Sequence, residues 1–408
     1  MLACAFGVGA SACGSGGDDA ASASGAATGT GGANGAGGAS GSGGAGASGQ
    51  ACRPSASPVE LTARGELSGV LAAAADGAGV ALVGYDSASN LIGLTELGAD
   101  LTANGPATPI LTGVSTSYLS AYRLSASMSL GGPRGIVANT GLGCQFASIA
   151  ANGAEAGATV VVADEACESL APSGDGLAYL TMRGRSVTRV RVDASGAMID
   201  ATAIGTLPDT NVEALTPATL TDGSGLVLAP LFNPGRVAVL RVAADGSGVG
   251  QPLVLDDAAD ASDRRYALVS VGDSALLVDG PSTLAIPATQ GVRVRVVTAD
   301  GEVGPAASID ASVTQLEALA ATRVPGGAVV AFAVPGASGT PNLTLARLDA
   351  AGAVVGGTVA LSGPNFSDNV AQMLPLLLTS TSHGAALFVQ GGLQGELSPI
   401  FAFDVDCP

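Results

Sequence analysis

One order of signals returns seven times after residue 52: short runs of β-branched and aliphatic residues separated by turns built on Gly, Asp or Pro. One copy reads residues 215–220, Asp222-Gly223-Ser224-Gly225, Leu226-Val227-Leu228, Val237-Ala238-Val239-Leu240-Arg241-Val242, Asp245-Gly246 and Leu253-Val254-Leu255. Another reads residues 316–324, Pro325-Gly326-Gly327, Ala328-Val329-Val330-Ala331-Phe332, Leu343-Thr344-Leu345-Ala346-Arg347-Leu348, Ala351-Gly352 and Val359-Ala360-Leu361. Each holds four strand-like runs. Further copies centre on Asp76-Gly77-Ala78-Gly79, Gly131-Gly132-Pro133-Arg134-Gly135, Gly174-Asp175-Gly176, Gly272-Asp273 and His383-Gly384. From Gly79 to Gly384 is 305 positions in six steps, about 51 residues per step. No other feature of the chain narrows its fold as much.

The Asp and Gly residues of each anchor supply the positive-φ conformations that two-residue hairpin turns require, so the anchors join the first two strands of each copy. Four strands in a repeat of this length resemble the blades of β-propellers, which run to roughly 40–50 residues each. The resemblance covers about 350 residues and rests on period and strand count. No WD dipeptide, kelch double glycine, YWTD-type motif or Asp box is present to name a subfamily. The expected fold is therefore all-β: a seven-bladed β-propeller of four-stranded blades in residues 52–408. The rival is an outer-membrane barrel, for which an aromatic content of 3% leaves nothing to build interfacial girdles.

The third strands alternate in Val187-Thr188-Arg189-Val190-Arg191-Val192 and Val292-Arg293-Val294-Arg295-Val296, as half-buried strands do. Their arginines should share the opposite face. Such a stripe is either an anion-binding face or, more plainly, solvated charge on the outer strands.

The seventh copy ends at residues 400–407 with no fourth strand after it, whereas Val59-Glu60-Leu61-Thr62 precedes the first copy with no strands of its own. In propellers that close a ring, a strand from one terminus often completes the blade begun at the other. Cys52 and Cys407 stand beside these two pieces. If Cys4 and Cys13 belong to a leader, four cysteines remain, and an even number in an exported chain favours disulfides. Three pairings are open; Cys52 with Cys407 and Cys144 with Cys167 are preferred, the first clamping the ring and the second closing a local loop.

Residues 1–13 form a short apolar run ending in small residues before Cys13, which resembles the end of a bacterial lipoprotein signal peptide. That resemblance implies a lipid on Cys13; the alternative is an ordinary secretory signal cleaved near Ala12. Residues 14–51 are almost wholly Gly, Ala, Ser, Thr and Asn, interrupted by Asp18, Asp19 and Gln50, and cannot bury enough apolar area to offset ordering entropy. They read as a disordered tether spanning roughly 35 Å root-mean-square. The expected location is the cell envelope, through the lipid anchor, or the exterior.

Sixteen basic residues, all Arg, face 34 acidic ones, and the formal net charge of −18 repels nucleic acid and anionic headgroups. Without Lys there is no Schiff base. The single histidine, His383, lies at an expected hairpin turn beside Ser382, and adjacency does not make a triad. Gly272-Asp273-Ser274 superficially resembles the nucleophile block of small esterases, but those pair it with an Asp three residues before the His, where this chain has Ser380. Neither Cys spacing nor an HExxH pattern supports zinc. Asp256, Asp257, Asp260 and Asp263 crowd one connector and are either a weak calcium site or solvated charge, since their spacing matches no DxDxDG loop. Asp164, Glu165, Glu168 and Asp209 could supply a glycosidase pair at the propeller mouth, although the absence of Trp counts against sugar stacking.

The leading expectation is a monomeric, non-enzymatic binding or scaffold module, without cofactor, that meets an extracellular protein, peptide or envelope component. The alternative is an extracellular hydrolase or lyase acting from the central pocket. An enzyme should bring carboxylates and Arg together in a concave mouth; a scaffold's mouth should be lined by small or apolar residues.

Overall fold

The computed structural model describes residues 49–61, 69–77, 79–86, 89–112, 126–130, 133–140, 143–150, 160–163, 167–210, 212, 214–231, 236–255, 264–282, 291–335, 342–361, 376–390 and 400–408. Two short strands come first, β1 (Arg53–Pro54) and β2 (Val59–Glu60). Blade 1 holds β3 (Gly69–Asp76), β4 (Gly79–Asp86), β5 (Leu91–Leu97) and β6 (Thr108–Thr112). Blade 2 holds β7 (Ala126–Ser129), β8 (Gly135–Thr140), β9 (Gly143–Ser148) and β10 (Val160–Ala163); blade 3 holds β11 (Cys167–Ser173), β12 (Gly176–Arg183), β13 (Ser186–Val192) and β14 (Met198–Thr206). In blade 4 are β15 (Thr216–Thr219), β16 (Gly225–Leu231), β17 (Arg236–Val242) and β18 (Gly248–Leu255). Blade 5 follows with β19 (Arg264–Val271), β20 (Ser274–Pro281), β21 (Val292–Thr298) and β22 (Ala307–Asp310). Blade 6 has β23 (Ala318–Val324), β24 (Gly327–Val334), β25 (Asn342–Asp349) and β26 (Val354–Leu361), and blade 7 has β27 (Leu376–Ser380), β28 (Gly384–Gln390) and β29 (Ile400–Asp406).

Every blade is an antiparallel meander in chain order. The first strands neighbour one another all the way round, from β3 through β7, β11, β15, β19, β23 and β27 and back to β3. The chain is thus a seven-bladed β-propeller, with the first strand of each blade at the axis.

The second strands explain why the ring holds. They read as unbroken apolar runs because both their faces are covered. In β24, Ala328, Val330 and Phe332 pack towards blade 5, while Val329, Ala331 and Ala333 pack towards blade 7. Among the described residues there is one such apolar cluster at each of the seven blade interfaces. At roughly 1.5–3 kcal/mol for each fully buried Val, Leu or Phe, these interfaces dominate the stabilisation.

Blade 7 takes its outer strand from the front of the chain. Arg53 and Pro54 pair with Asp406 and Val405, and Val59 and Glu60 pair with Ala402 and Phe401, all antiparallel. Between these pieces Ser55 N–H donates to Asp404 O at 2.9 Å, and beyond them Leu61 N–H donates to Ile400 O at 2.8 Å. A disulfide joins Cys52 to Cys407 across 355 positions, with the Cα atoms 4.3 Å apart. A second joins Cys144 of β9 to Cys167 of β11, Cα atoms 5.4 Å apart, and so links blade 2 to blade 3. Two disulfides fit an oxidising, extracellular compartment.

The domain also includes three residues that the sequence placed in the tether. Ala51 is buried, Gly49 lies against Val355 of β26, and Gln50 O accepts from Arg347 Nη1 at 3.2 Å. The same Arg347 nitrogen donates to Pro408 O, so one guanidinium on β25 holds both end segments.

The turn chemistry is as the anchors suggested. Gly77, Gly174, Gly223, Gly272 and Gly326 lie between first and second strands at positive φ. A second glycine opens the next strand for a different reason. At Gly79, Gly176, Gly327 and Gly384 a Cβ would collide with the carbonyl of Leu97, Val192, Leu348 or Val405 on the third strand, so the close approach repeats in blades 1, 3, 6 and 7.

Because the Cys52–Cys407 loop spans 355 positions and the Cys144–Cys167 loop only 23, the chain-entropy model expects losses of about 5–6 and about 3 kcal/mol respectively when each pair is replaced by Ser. Equilibrium guanidinium unfolding of the two double variants measures this. A smaller loss from the Cys52–Cys407 pair than from the other would contradict its role as the ring clamp.

Candidate functional site

The strands that bound the axis carry mostly small and aliphatic side chains: β3 is rich in Ala, β23 in Ala and Leu, and β27 opens with Leu376, Leu377 and Leu378. Their charged residues are Asp76, Glu168, Arg264, Arg265 and Arg323. The chemistry available near the axis depends on what each of these already touches.

Asp76 receives Arg134 Nη2 at 2.8 Å, tying blade 1 to blade 2. Glu168 lies at the start of a bulge in β11, where the register slips before Ala171 and Ser169 takes a φ of 63°. The bulge turns both side chains onto one backbone unit of the next blade: Leu215 N–H donates to Glu168 Oε2, and Ser169 Oγ donates to Leu215 O at 2.7 Å. Burial pushes the Glu168 carboxyl up to about 7, against the opposing pull of the Leu215 N–H. Asp209 accepts the N–H of its neighbour Thr210 at 2.6 Å. Asp164 and Glu165 lie outside the described residues. The two described members of the expected carboxylate set are therefore both bonded to backbone.

The arginine stripes correct the sequence expectation. Arg293 and Arg295 do not project into solvent; their side chains are 16% and 12% exposed, and both turn onto Asp279 of β20. Arg293 Nη2 is 2.8 Å from Oδ1, Arg295 Nη1 is 2.7 Å from Oδ2, and the buried Arg264 of β19 reaches Oδ1 at 2.5 Å. Asp279 is fully buried. A carboxylate there requires such partners, and removing it would strand buried guanidinium charge at a cost of about 3–5 kcal/mol. In blade 3, Arg191 pairs with Asp200 at 2.8 Å and Arg189 donates to Ser173 Oγ at 2.5 Å. The stripes are cross-strand ties. A lone Asp after Leu276-Leu277-Val278 was the signal for the cluster, since a charge inside an apolar strand needs counter-charge.

His383 sits at an exposed turn, with Nε2 2.9 Å from Asp404 Oδ1 and Nδ1 3.3 Å from Ser382 Oγ. The order Ser–His–Asp is superficially that of a triad. Asp404, however, also accepts Ser55 Oγ at 2.5 Å, so the group fastens the closing strand to β29. Asp273 accepts the Thr221 hydroxyl of the neighbouring blade, and Ser274 Oγ donates to Val271 O at 3.4 Å, so Gly272-Asp273-Ser274 is a turn.

An open depression of about 440 Å³ lies where the first-to-second strand turns of blades 5, 6 and 7 gather. Val271 and Gly272 come from blade 5, Arg323, the Pro325-Gly326 turn and Ala350 from blade 6, and Ser380 and Thr381 from blade 7. Val271 and Val324 are buried in its wall, and the space over Gly272 and Gly326 is empty. Among the described residues Arg323 makes no ion pair or hydrogen bond, and Thr381 Oγ1 is out of solvent with no hydrogen-bond partner. The sequence did not single out Arg323; the available signal was a lone basic residue one position before a turn-flanking Val.

Cys13 and the four aspartates Asp256, Asp257, Asp260 and Asp263 lie outside the described residues, and no cluster of three potential metal ligands occurs among those described. No protein-family model matches the sequence, and no curated protein does. Among solved structures the chain is similar to a protein of unknown function from Dyadobacter fermentans, at 9% identity and a TM-score of 0.50, over 88% of this chain and 99% of that one. It is also similar to a chain of a mitotic checkpoint complex, at 11% identity and a TM-score of 0.51, over 86% and 93%. The propeller domain of the trilobed protease from Pyrococcus furiosus follows at 11% identity and 0.46, over 83% and 94%. At these identities the likeness concerns the fold.

Glu168 makes a pH signature. Its folded value near 7 lies above the unfolded value of 4.5, so the fold favours the protonated form. Its contribution is fully present below about pH 4.5 and is lost as pH rises through about 7. Glu168→Gln is therefore expected to gain on the order of 3 kcal/mol over the parent above pH 8 and almost nothing at pH 4. Urea unfolding across that range measures it, and an equal effect at both ends would contradict the burial argument.

Proposed function

We propose that this chain is an exported binding scaffold, lipid-anchored through Cys13 or released, whose rigid ring presents one face to an extracellular protein or peptide or to an envelope component. The observation that carries the reading is a contrast between two regions. At the axis, aliphatic side chains predominate and the carboxylates of Asp76 and Glu168 are occupied by Arg134 and by Leu215 N–H. On the turn face, by contrast, a depression of about 440 Å³ holds the exposed Arg323 guanidinium, which has no partner among the described residues. Concave sites with a few placed polar groups in apolar walls are where ligands bind. The two disulfides suit an extracellular scaffold, and the net charge of −18 argues against nucleic acid. The reading requires no cofactor, and any calcium held by Asp256, Asp257, Asp260 and Asp263 would be structural.

The full chain, immobilised, is expected to retain a small set of polypeptides saturably from extracellular or envelope fractions and to give no turnover of ester, peptide or glycoside substrates. Turnover without saturable retention would contradict it. For the anchor, an alkyne-tagged fatty acid fed to expressing cells is expected to label the chain and not its Cys13→Ser variant; equal labelling of both would remove Cys13 as the lipid site.

A further inference from the structure

We infer that the depression between blades 5, 6 and 7 is a carboxylate site, in which Arg323 takes the C-terminal carboxylate of a short, otherwise uncharged peptide. This rests on the reading of the ring as a scaffold for peptides or proteins and names the chemistry that one site on it would select.

The guanidinium is the first reason. Elsewhere in the fold several arginines are held by acids, as Arg134 is by Asp76 and Arg264, Arg293 and Arg295 are by Asp279. Arg323 is exposed at the end of β23 and, among the described residues, has neither a carboxylate nor a carbonyl on its fork. A guanidinium presents parallel donors whose spacing matches a carboxylate, which makes a bidentate pair the geometry it favours. Thr381 contributes wall only, because its Oγ1 is already out of solvent and so does not meet a ligand in the depression. Thr381 and Arg323 border the same depression from adjacent blades.

The walls choose what carries the carboxylate. Val271, Val324, Pro325 and Ala350 are apolar, and the open space over Gly272 and Gly326 leaves a shallow floor on which a backbone can lie. A cavity of about 440 Å³ takes a few residues, not a folded domain. The rest of the chain sets an upper limit on charge. With a net charge of −18, the protein repels phosphorylated or polyacidic ligands, so a single carboxylate on an uncharged segment suits the site.

The probe is N-acetyl-Ala-Ala-Val as free acid and as carboxamide, titrated calorimetrically into the full chain at low ionic strength. The acid is expected to bind with a Kd of roughly 10–500 µM and the amide at least about ten-fold more weakly, since one charge-assisted pair is lost. Arg323→Gln should abolish the preference for the acid, Arg323→Lys should keep only part of it, and the near-isosteric Thr381→Val, which keeps the wall, should leave it unchanged. As Arg323 is exposed and its side chain makes no ion pair or hydrogen bond among the described residues, its variants should melt within about 1–2 °C of the parent. Equal affinity for acid and amide, binding of neither, or an acid preference that survives Arg323→Gln would each overturn the inference. Saturable retention of a larger partner by the Arg323→Gln chain would at the same time leave the scaffold reading standing. Acid-selective binding with no retained partner would uphold the site and overturn only the part of the scaffold reading that concerns larger polypeptides.

Discussion

A sheet that is apolar on both faces has no stable end. In β24, alternate side chains feed the cluster shared with blade 5 and the cluster shared with blade 7, and β4, β8, β12, β16, β20 and β28 repeat the arrangement. Any open stack of such blades would leave two apolar faces in water, a penalty that grows with the buried area. Seven blades avoid it by meeting: Phe388, Ile400 and Ala402 of blade 7 pack with Val70, Val80 and Leu82 of blade 1. Everything else in the structure serves or exploits that closure.

Several fastenings gather where the ring is joined. Blade 7 lacks a fourth strand of its own, so β1 and β2 supply one, and the Cys52–Cys407 disulfide, the Ser55–Asp404–His383 group and Arg347 all act on this seam. The histidine that a search for catalysis picks out is thus a closure residue. Asp279 plays a comparable part within blade 5: three guanidinium groups from strands on either side converge on one buried carboxylate. Buried ion pairs add little net stability, yet they fix register strictly because a slip would leave each charge without its partner.

Blade number, turn positions and strand borrowing could be read from residues because each has a local signature, whereas the cysteine pairing was a preference among three until the structure joined Cys52 to Cys407 and Cys144 to Cys167. Asp222-Gly223 announces a hairpin, and Val59-Glu60, which stands before the first copy without strands of its own, pairs with β29. The site was not legible in the same way. Arg293 and Arg295 gave the correct alternation but the wrong environment, since only the cross-strand register brings Asp279 opposite them. Glu168 looked like an available carboxylate until the bulge at Ser169 turned it onto Leu215. Arg323 and Thr381 are 58 positions apart and become neighbours only because first strands of adjacent blades sit side by side at the axis. Periodicity specifies strands and faces; it does not specify which turns converge.

Binding through such a frame costs little reorganisation, because a closed ring holds its turns in place before a partner arrives. Such a frame works only as one cooperative ring sealed at blade 7. Hydrogen–deuterium exchange on the oxidised and the reduced full chain tests this most directly. The expected result is that, oxidised, β4, β8, β12, β16, β20, β24 and β28 share the slowest exchange, and that reduction releases β29 and β28 first, followed by the faces of blades 1 and 6. Blades that exchange independently of one another, or a blade 7 equally protected in both states, would contradict it.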